Sequence, residues 1–382
     1  MIAAGPVKEF DLGDIGTTVA YRSEEGTPGI ANAFTAPLGG GEPVPLTGFT
    51  SGQTVSTVAL SPDETRVVYR TTDFLGGTRL FSVSAGGGSP VQLHGDGVGS
   101  PFGIGSDFRI SPDGTRVVYR SNLESGGATQ LFSVPIDGGI PTRLDDQAFF
   151  SVSSFTVGSD GAWTAYAVVS SEADVYSVPV TGGTPVRHCC DTPSFAGVFT
   201  YGISPDGARV MIVADGTVDG YQELYSGAVG VAGATRLNAP LQSFGRVLDF
   251  AVSPDGADTV YVADQELNER FELYRVPTVG GAAVKLSEPA DSLPQPSRYG
   301  LVGYTPDGQF VIYRSDRGTD EPTGLYAVPA GGGPARDLSP TLGWTDRVEA
   351  EYSVSPDSKW VQYVSGVLNR LWIASIEGDR VA

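Results

Sequence analysis

The phrase SPDETRVVYR at Ser61–Arg70 returns almost unchanged as SPDGTRVVYR at Ser111–Arg120. Repetition at a steady spacing means a series of like folding units, and this constrains the chain more than any composition does. Intact Ser-Pro-Asp recurs at Ser204, Ser253 and Ser355, with variants at Thr305-Pro306-Asp307 and Ser159-Asp160-Gly161. Six residues after each Asp stands an apolar residue: Tyr69, Tyr119, Tyr166, Ile212, Tyr261, Tyr313 and Tyr363. An eighth, Tyr21, follows a degenerate turn at Asp11–Gly16.

A second phrase of the LFSV type tracks the first, with its aromatic at Phe34, Phe81, Phe132, Tyr176, Tyr225, Tyr274, Tyr326 and Trp372. Its members lie roughly 44 to 52 residues apart, a propeller-range period. A third phrase, Gly-Gly followed by Pro-Val-x-Leu, is clearest at Gly39, Gly86, Gly138 and Gly182. Eight repeats of about 48 residues fill 1–382, so a single domain is expected. With 52 Gly and 27 Pro in 382 residues, coiled coils and helical bundles are excluded, while 40% apolar content suffices for a core.

Each unit reads as four short strands. In the second unit these are Thr54–Leu60, Val67–Arg70, Leu80–Val83 and Pro90–Leu93, separated by turns. Ser at i, Pro at i+1 and Gly at i+3 suit a type I turn, with the Ser hydroxyl able to bond backbone amides ahead. The Asp residues of these turns therefore read as hairpin devices. Four-stranded units with two apolar faces need neighbours on both sides, and radial repetition supplies them. The expected fold is all-β: a β-propeller of four-stranded antiparallel blades, eight in number, with seven as the alternative. The eighth unit has a short outer strand, Arg380–Ala382, so Ile2–Val7 is expected to complete that blade.

These turns and strands resemble the TolB-like propeller family, built from WD40-like PD40 repeats, over essentially the whole chain. The resemblance implies the propeller fold and, through the periplasmic TolB, a bacterial envelope or extracellular location. Relatives include TolB, which binds proteins, the propeller domains of prolyl oligopeptidase and dipeptidyl peptidase enzymes, and a metal-dependent oligogalacturonate lyase. Neither the α/β domain of TolB nor the hydrolase domain of the peptidases is expected within these 382 residues. Met1–Phe10 lacks the basic and apolar regions of a secretion signal.

The residue inventory points away from an enzyme. The two histidines, His94 and His188, fall near the ends of outer strands, and His188 takes the slot of Leu46, Leu93 and Leu144. There is no G-x-S-x-G. The adjacent Cys189 and Cys190 read as a vicinal disulfide or as two thiols, with metal binding the weakest option for lack of further ligands. No EF-hand loop occurs. Calcium is a candidate cofactor only on the propeller axis, where Asp107, Asp249, Asp346 and Glu349 precede or enter inner strands. None is required.

The formal charge of −20 excludes nucleic acid as a partner, and no apolar run is long enough to insert in a membrane. The loops between second and third strands are rich in acids, among them Glu24, Asp73, Asp174, Asp215, Glu223, Asp264, Glu266 and Glu269. The links between blades on the same side carry Phe49, Phe102, Phe149, Phe150, Phe195, Phe244 and Trp344. Acids around aromatic anchors make a docking surface for a protein or polymer, with Phe102, Phe149, Phe150, Phe195, Phe244 and Trp344 as binding residues. The bland alternative is solvated acids and aromatics that plug the gaps between blades. Two competing functions remain: a carboxylate- or calcium-dependent hydrolase or lyase, and a self-associating subunit of a larger extracellular assembly.

Overall fold

The computed structural model describes residues 6–25, 27–94, 103–122, 127–146, 150–169, 173–188, 197–215, 220–242, 244–286, 302–315, 324–339, 348–365 and 370–378. Every element among them is a strand, and the strands form eight antiparallel sheets in chain order. We number these blades 1 to 8; they span 7–45, 53–94, 104–143, 151–188, 197–236, 247–285, 302–337 and 348–375. Seven are four-stranded and blade 8 shows three described strands, its expected outer strand Arg380–Ala382 lying outside the described residues. Eight sheets decide against seven blades. Val7 begins the first strand of blade 1, Val7–Leu12, which pairs with Thr18–Ser23, so that strand serves blade 1 rather than blade 8. The remainder of the segment expected to complete blade 8 lies outside the described residues except Pro6.

The chain divides into two compact units, one of 1–170 and 176–186, the other of 171–175 and 187–382. In both, the two repeated phrases are the second and third strands, paired so that their aromatics face each other: Tyr69 opposite Phe81, Tyr119 opposite Phe132, Tyr261 opposite Tyr274. Such directly opposed rings stack, with centroids 5.3, 5.8 and 5.3 Å apart in these three blades. Stacked aromatics contribute about 0.5–1.5 kcal/mol each beyond their area burial. The tyrosines are almost wholly buried because, within each unit, neighbouring blades pack face to face. Val68, Leu80 and Leu93 of blade 2, for example, pack on Phe108, Val117 and Tyr119 of blade 3.

The Ser-Pro-Asp turns are closed by their own side chains. In blade 6, Asp258 N donates to Ser253 Oγ at 2.9 Å, Ser253 Oγ donates to Asp255 Oδ1 at 2.6 Å, and Ala257 N donates to the same oxygen at 3.1 Å. Donation from the serine hydroxyl and the backbone holds Asp63, Asp255 and Asp357 below the usual carboxylate range. The fourth turn residue is left-handed, as at Gly256 (φ 75°), which explains the glycine. Two turns put other residues there, Glu64 (φ 56°) and Ser358 (φ 58°). Both side chains reach the preceding blade's turn: Thr17 donates to the Glu64 carboxylate through its amide at 3.1 Å and through its hydroxyl, and Asp307 N donates to Ser358 Oγ at 3.0 Å.

First strands carry a β-bulge at a repeated place, at Ser56 between Val55 and Thr57 and at Ser153 between Val152 and Ser154. A bulge turns carbonyls out of the ladder, and arginines of the VVYR phrase use them. Arg22 donates to Val55 O at 3.5 Å, Arg70 to Ile104 O at 3.0 Å, and Arg120 to Val152 O at 3.0 Å and to Ser153 O. Each arginine thus ties its blade to the first strand of the next.

Candidate binding site

Most of the described acids at the second-to-third strand turns are engaged in the fold. Asp174, Glu223 and Glu272 lie inside third strands and pair with a cation thirteen residues on, in the fourth strand: Arg187, Arg236 and Lys285. The first two contacts are 2.7 Å long. A facing cation lets an acid extend a strand, which is why Asp174 and Glu223 belong to strands rather than loops; Asp264 and Glu266 likewise lie within Asp258–Leu267. Asp73 caps its own hairpin, accepting from Leu75 N at 3.0 Å and Gly77 N at 2.8 Å. That cap holds Phe74 and Leu75 at a tip where they are 70% and 73% exposed. Sequence reasoning passed over this pair because it weighed only the acids of that loop.

Of the aromatic anchors, Phe150 and Phe244 are described and exposed, whereas Phe102, Phe149, Phe195 and Trp344 lie outside the described residues, as do Cys189, Cys190 and Asp346. Among the calcium candidates, Asp107 is gripped by Arg120, whose Nη2 and Nε approach it at 2.9 and 3.1 Å. Asp249 is half-buried and accepts from Phe250 N at 2.9 Å and Val302 N at 3.0 Å; desolvation raises its carboxyl pKa against the pull of those amides. Glu349 is exposed. Among the described residues no three His, Cys, Asp or Glu side chains come together as metal ligands. A depression of about 560 Å³ on blade 8, lined by Val354, Pro356, Trp360, Gln362, Ile373 and neighbouring serines, includes no carboxylate.

His188 is fully buried on the last strand of blade 4. A Cβ on Gly227 would lie 2.6 Å from its Nδ1, so the imidazole occupies space that a side chain at 227 would need. Position 227 holds valine in most copies of the LFSV phrase. Histidine for leucine and glycine for valine are therefore a matched exchange. Burial, opposed by a hydrogen bond with Gly233, and the charge of Arg209 bring the His188 pKa down to about 4.

One cluster in the second unit is not accounted for by the repeat. Phe244 has a left-handed backbone (φ 60°) and is 74% exposed, an arrangement that is unfavourable for a bulky residue and buries little in return. Its ring stacks on Tyr221 at 6.4 Å and 21°, and the Gly220 backbone lies beside it, where a Cβ would come within 3.7 Å. Two residues on, Arg246 bridges to Gln222, lies over the Phe271 ring at 5.4 Å and pairs with Glu269 at 3.3 Å. Glu269 is also left-handed (φ 62°). Asp264, buried beneath, accepts from Arg246 N at 2.6 Å and Glu269 N at 3.0 Å and so fixes both. The product is an open aromatic platform beside a fixed guanidinium–carboxylate pair.

Solved structures share the blade arrangement. The chain superposes over all its length, and over 89% of the other chain, on a eukaryotic initiation factor (TM-score 0.66, 10% identity). It superposes over 95% of its length on dipeptidyl peptidase 4 of Porphyromonas gingivalis (TM-score 0.63, 12% identity), spanning 58% of that chain. The fold is a β-propeller. At such identities the likeness concerns fold alone. TolB of Acinetobacter baumannii, at TM-score 0.36 and 14% identity, adds nothing further. No protein-family model matches the chain, and no curated protein matches its sequence. Among the described residues no helix is long and apolar enough to cross a membrane.

Proposed function

We propose that this chain is a non-catalytic binding propeller of the bacterial cell envelope or extracellular space, holding a protein or polymer on the Tyr221–Phe244 platform. The observation that carries the reading is Phe244. Glu64 and Ser358, with similar backbones, gain hydrogen bonds to neighbouring turns, whereas the ring of Phe244 is turned toward solvent. Backbone strain kept without a structural return is a mark of functional positions. The location rests on the repeat resemblance. The absence of a catalytic role is supported by a buried His188 and by acids engaged with cations and amides.

Placing the photoreactive residue p-benzoylphenylalanine at Phe244, and separately at Val279, which is 67% exposed in the same unit, tests the reading. Irradiation of producing cells should give discrete higher-mass adducts from position 244 and not from 279. Identical adducts from both positions, or none from 244, would overturn it.

A further inference from the structure

The surroundings of Phe244 define what kind of ligand fits, and from them we infer that the platform binds a neutral saccharide, stacking a pyranose ring on Phe244. This deepens the binding reading above and rests on it. The argument starts from charge. Although the chain as a whole is strongly acidic, the described acids of this cluster are already matched. Glu269 pairs with Arg246 at 3.3 Å, Glu266 with Lys285 at 3.0 Å, and Glu272 with both Lys285 and Arg270. Asp264 is buried and bonds two backbone amides. Among the described residues these four carboxylates are thus engaged by cations or amides rather than offered to a cationic peptide, and the overall negative field disfavours polyanions.

A neutral ligand must then be held by shape and hydrogen bonds. The platform offers a flat apolar ring, which takes up a ligand face of axial C–H groups. Two residues along from the ring, Arg246 supplies donors and the partly exposed Glu269 carboxylate, paired with it, supplies acceptors; both backbone amides donate to Asp264, and the Phe271 ring backs the guanidinium. Adjacent donors and acceptors match neighbouring hydroxyls, which both donate and accept. A ligand with one apolar face and a hydroxyl-bearing rim is a pyranose. The open setting, with Phe244 at 74% exposure and Leu267 at 55%, suits a chain of sugars lying across the surface rather than a monosaccharide enclosed in a pocket.

Isothermal titration of the full chain with cellohexaose, xylohexaose and mannohexaose is the test, with hexagalacturonate and a proline-rich peptide run in parallel. At least one neutral oligosaccharide should bind. Phe244→Ala should weaken it by about tenfold or more, the size of effect expected of a central aromatic contact. Glu269→Gln, which keeps the acceptor but breaks the ion pair, should weaken it by a smaller factor while the melting temperature stays unchanged. Failure of every neutral sugar at millimolar concentration, or binding indifferent to Phe244→Ala in a variant that melts normally, overturns the saccharide assignment. Phe244-dependent binding of the peptide in place of the neutral sugars would discard the saccharide, and of the galacturonate its neutrality; both would overturn the neutral-saccharide assignment while keeping the binding reading. Photo-crosslinks that do not depend on position 244 would discard both.

Discussion

Blades 1 to 3 and blades 4 to 6 are joined to their successors by different chemistry. In the first group the last residue of VVYR is arginine, and Arg22, Arg70 and Arg120 each donate to a carbonyl on the next first strand. In the second group that position holds Ala167, Val213 and Val262. There, the end of blade 4 is packed through His188 against Gly227, and blade 6 is tied to blade 7 by Asp249 accepting from Val302 N. One backbone plan thus tolerates two sets of fasteners. Where the repeat is strict its side chains are taken up by the joints, and where it loosens, as around Phe244, residues are free to serve something else.

The largest effect should come from the His188–Gly227 contact. Gly227→Val restores the residue common in the phrase but drives a side chain into an imidazole 2.6 Å from the Cβ position and a Gly233 carbonyl 2.7 Å away. Overpacking of this kind costs about 1–3 kcal/mol or more. His188→Ala should recover part of that loss in the double variant, read by urea unfolding. Strictly additive costs would mean the two positions are not a matched exchange.

The same histidine gives the comparison a pH signature. Its folded-state pKa, down to about 4, lies below the ordinary value of 6.5. Between those values the unfolded chain binds a proton that the folded chain refuses. This contribution is therefore fully present above about pH 6.5 and lost as pH falls toward 4, by about 3 kcal/mol at most. Asp249 acts in the opposite sense, because its raised pKa favours proton uptake by the folded state. His188→Leu should flatten the stability curve between pH 6.5 and 4. An unchanged curve would show that burial of the imidazole is not what shapes it.

Breaking an arginine joint should cost somewhat less. Arg120→Met removes donors from Val152 O and Ser153 O and leaves Asp107 without its guanidinium, a loss of about 2 kcal/mol. Val262→Ala, at the matching buried position of blade 6, should cost a comparable amount through lost packing, but with no dependence on salt, whereas the loss at Arg120 shrinks at high salt as its ion pair is screened. Equal salt dependence at both sites would erase the contrast between the two groups of blades.

The fold was legible from the repeats because its decisive contacts are local in phase. Tyr69 faces Phe81 and Ser253 closes on Asp255 within a single unit, so the copies repeat the same strand pairing, and six described turns repeat the hydroxyl–Asp closure. Relations across copies are less visible. The joint made by the arginine of VVYR depends on the bulge at Ser153, which presents its carbonyl and leaves no mark in the sequence. Glu223 and Asp174 read as loop acids because their cations stand thirteen residues later, across the third-to-fourth strand turn. At the candidate site, Phe244 could be singled out as an aromatic in a link between blades. Its left-handed backbone, and the assembly of Tyr221, Arg246 and Glu269 from three separate loops, have no periodic signal to betray them.

The smallest effect is also the one that bears most directly on why the irregular region is irregular. Phe244→Gly should raise stability by about 0.5–1 kcal/mol, because glycine adopts the left-handed backbone without strain and the lost ring buries little surface. Phe244→Ala should not, since alanine keeps the strained backbone while losing the same stack on Tyr221. The order of melting temperatures is therefore glycine above alanine, with both variants losing whatever position 244 holds. A glycine variant less stable than the alanine variant would mean the backbone there is not strained, and Phe244 would then need no function to explain it. The expected order would place Phe244 among residues kept at a cost in stability, in the part of the molecule where the repeat has stopped prescribing the side chain.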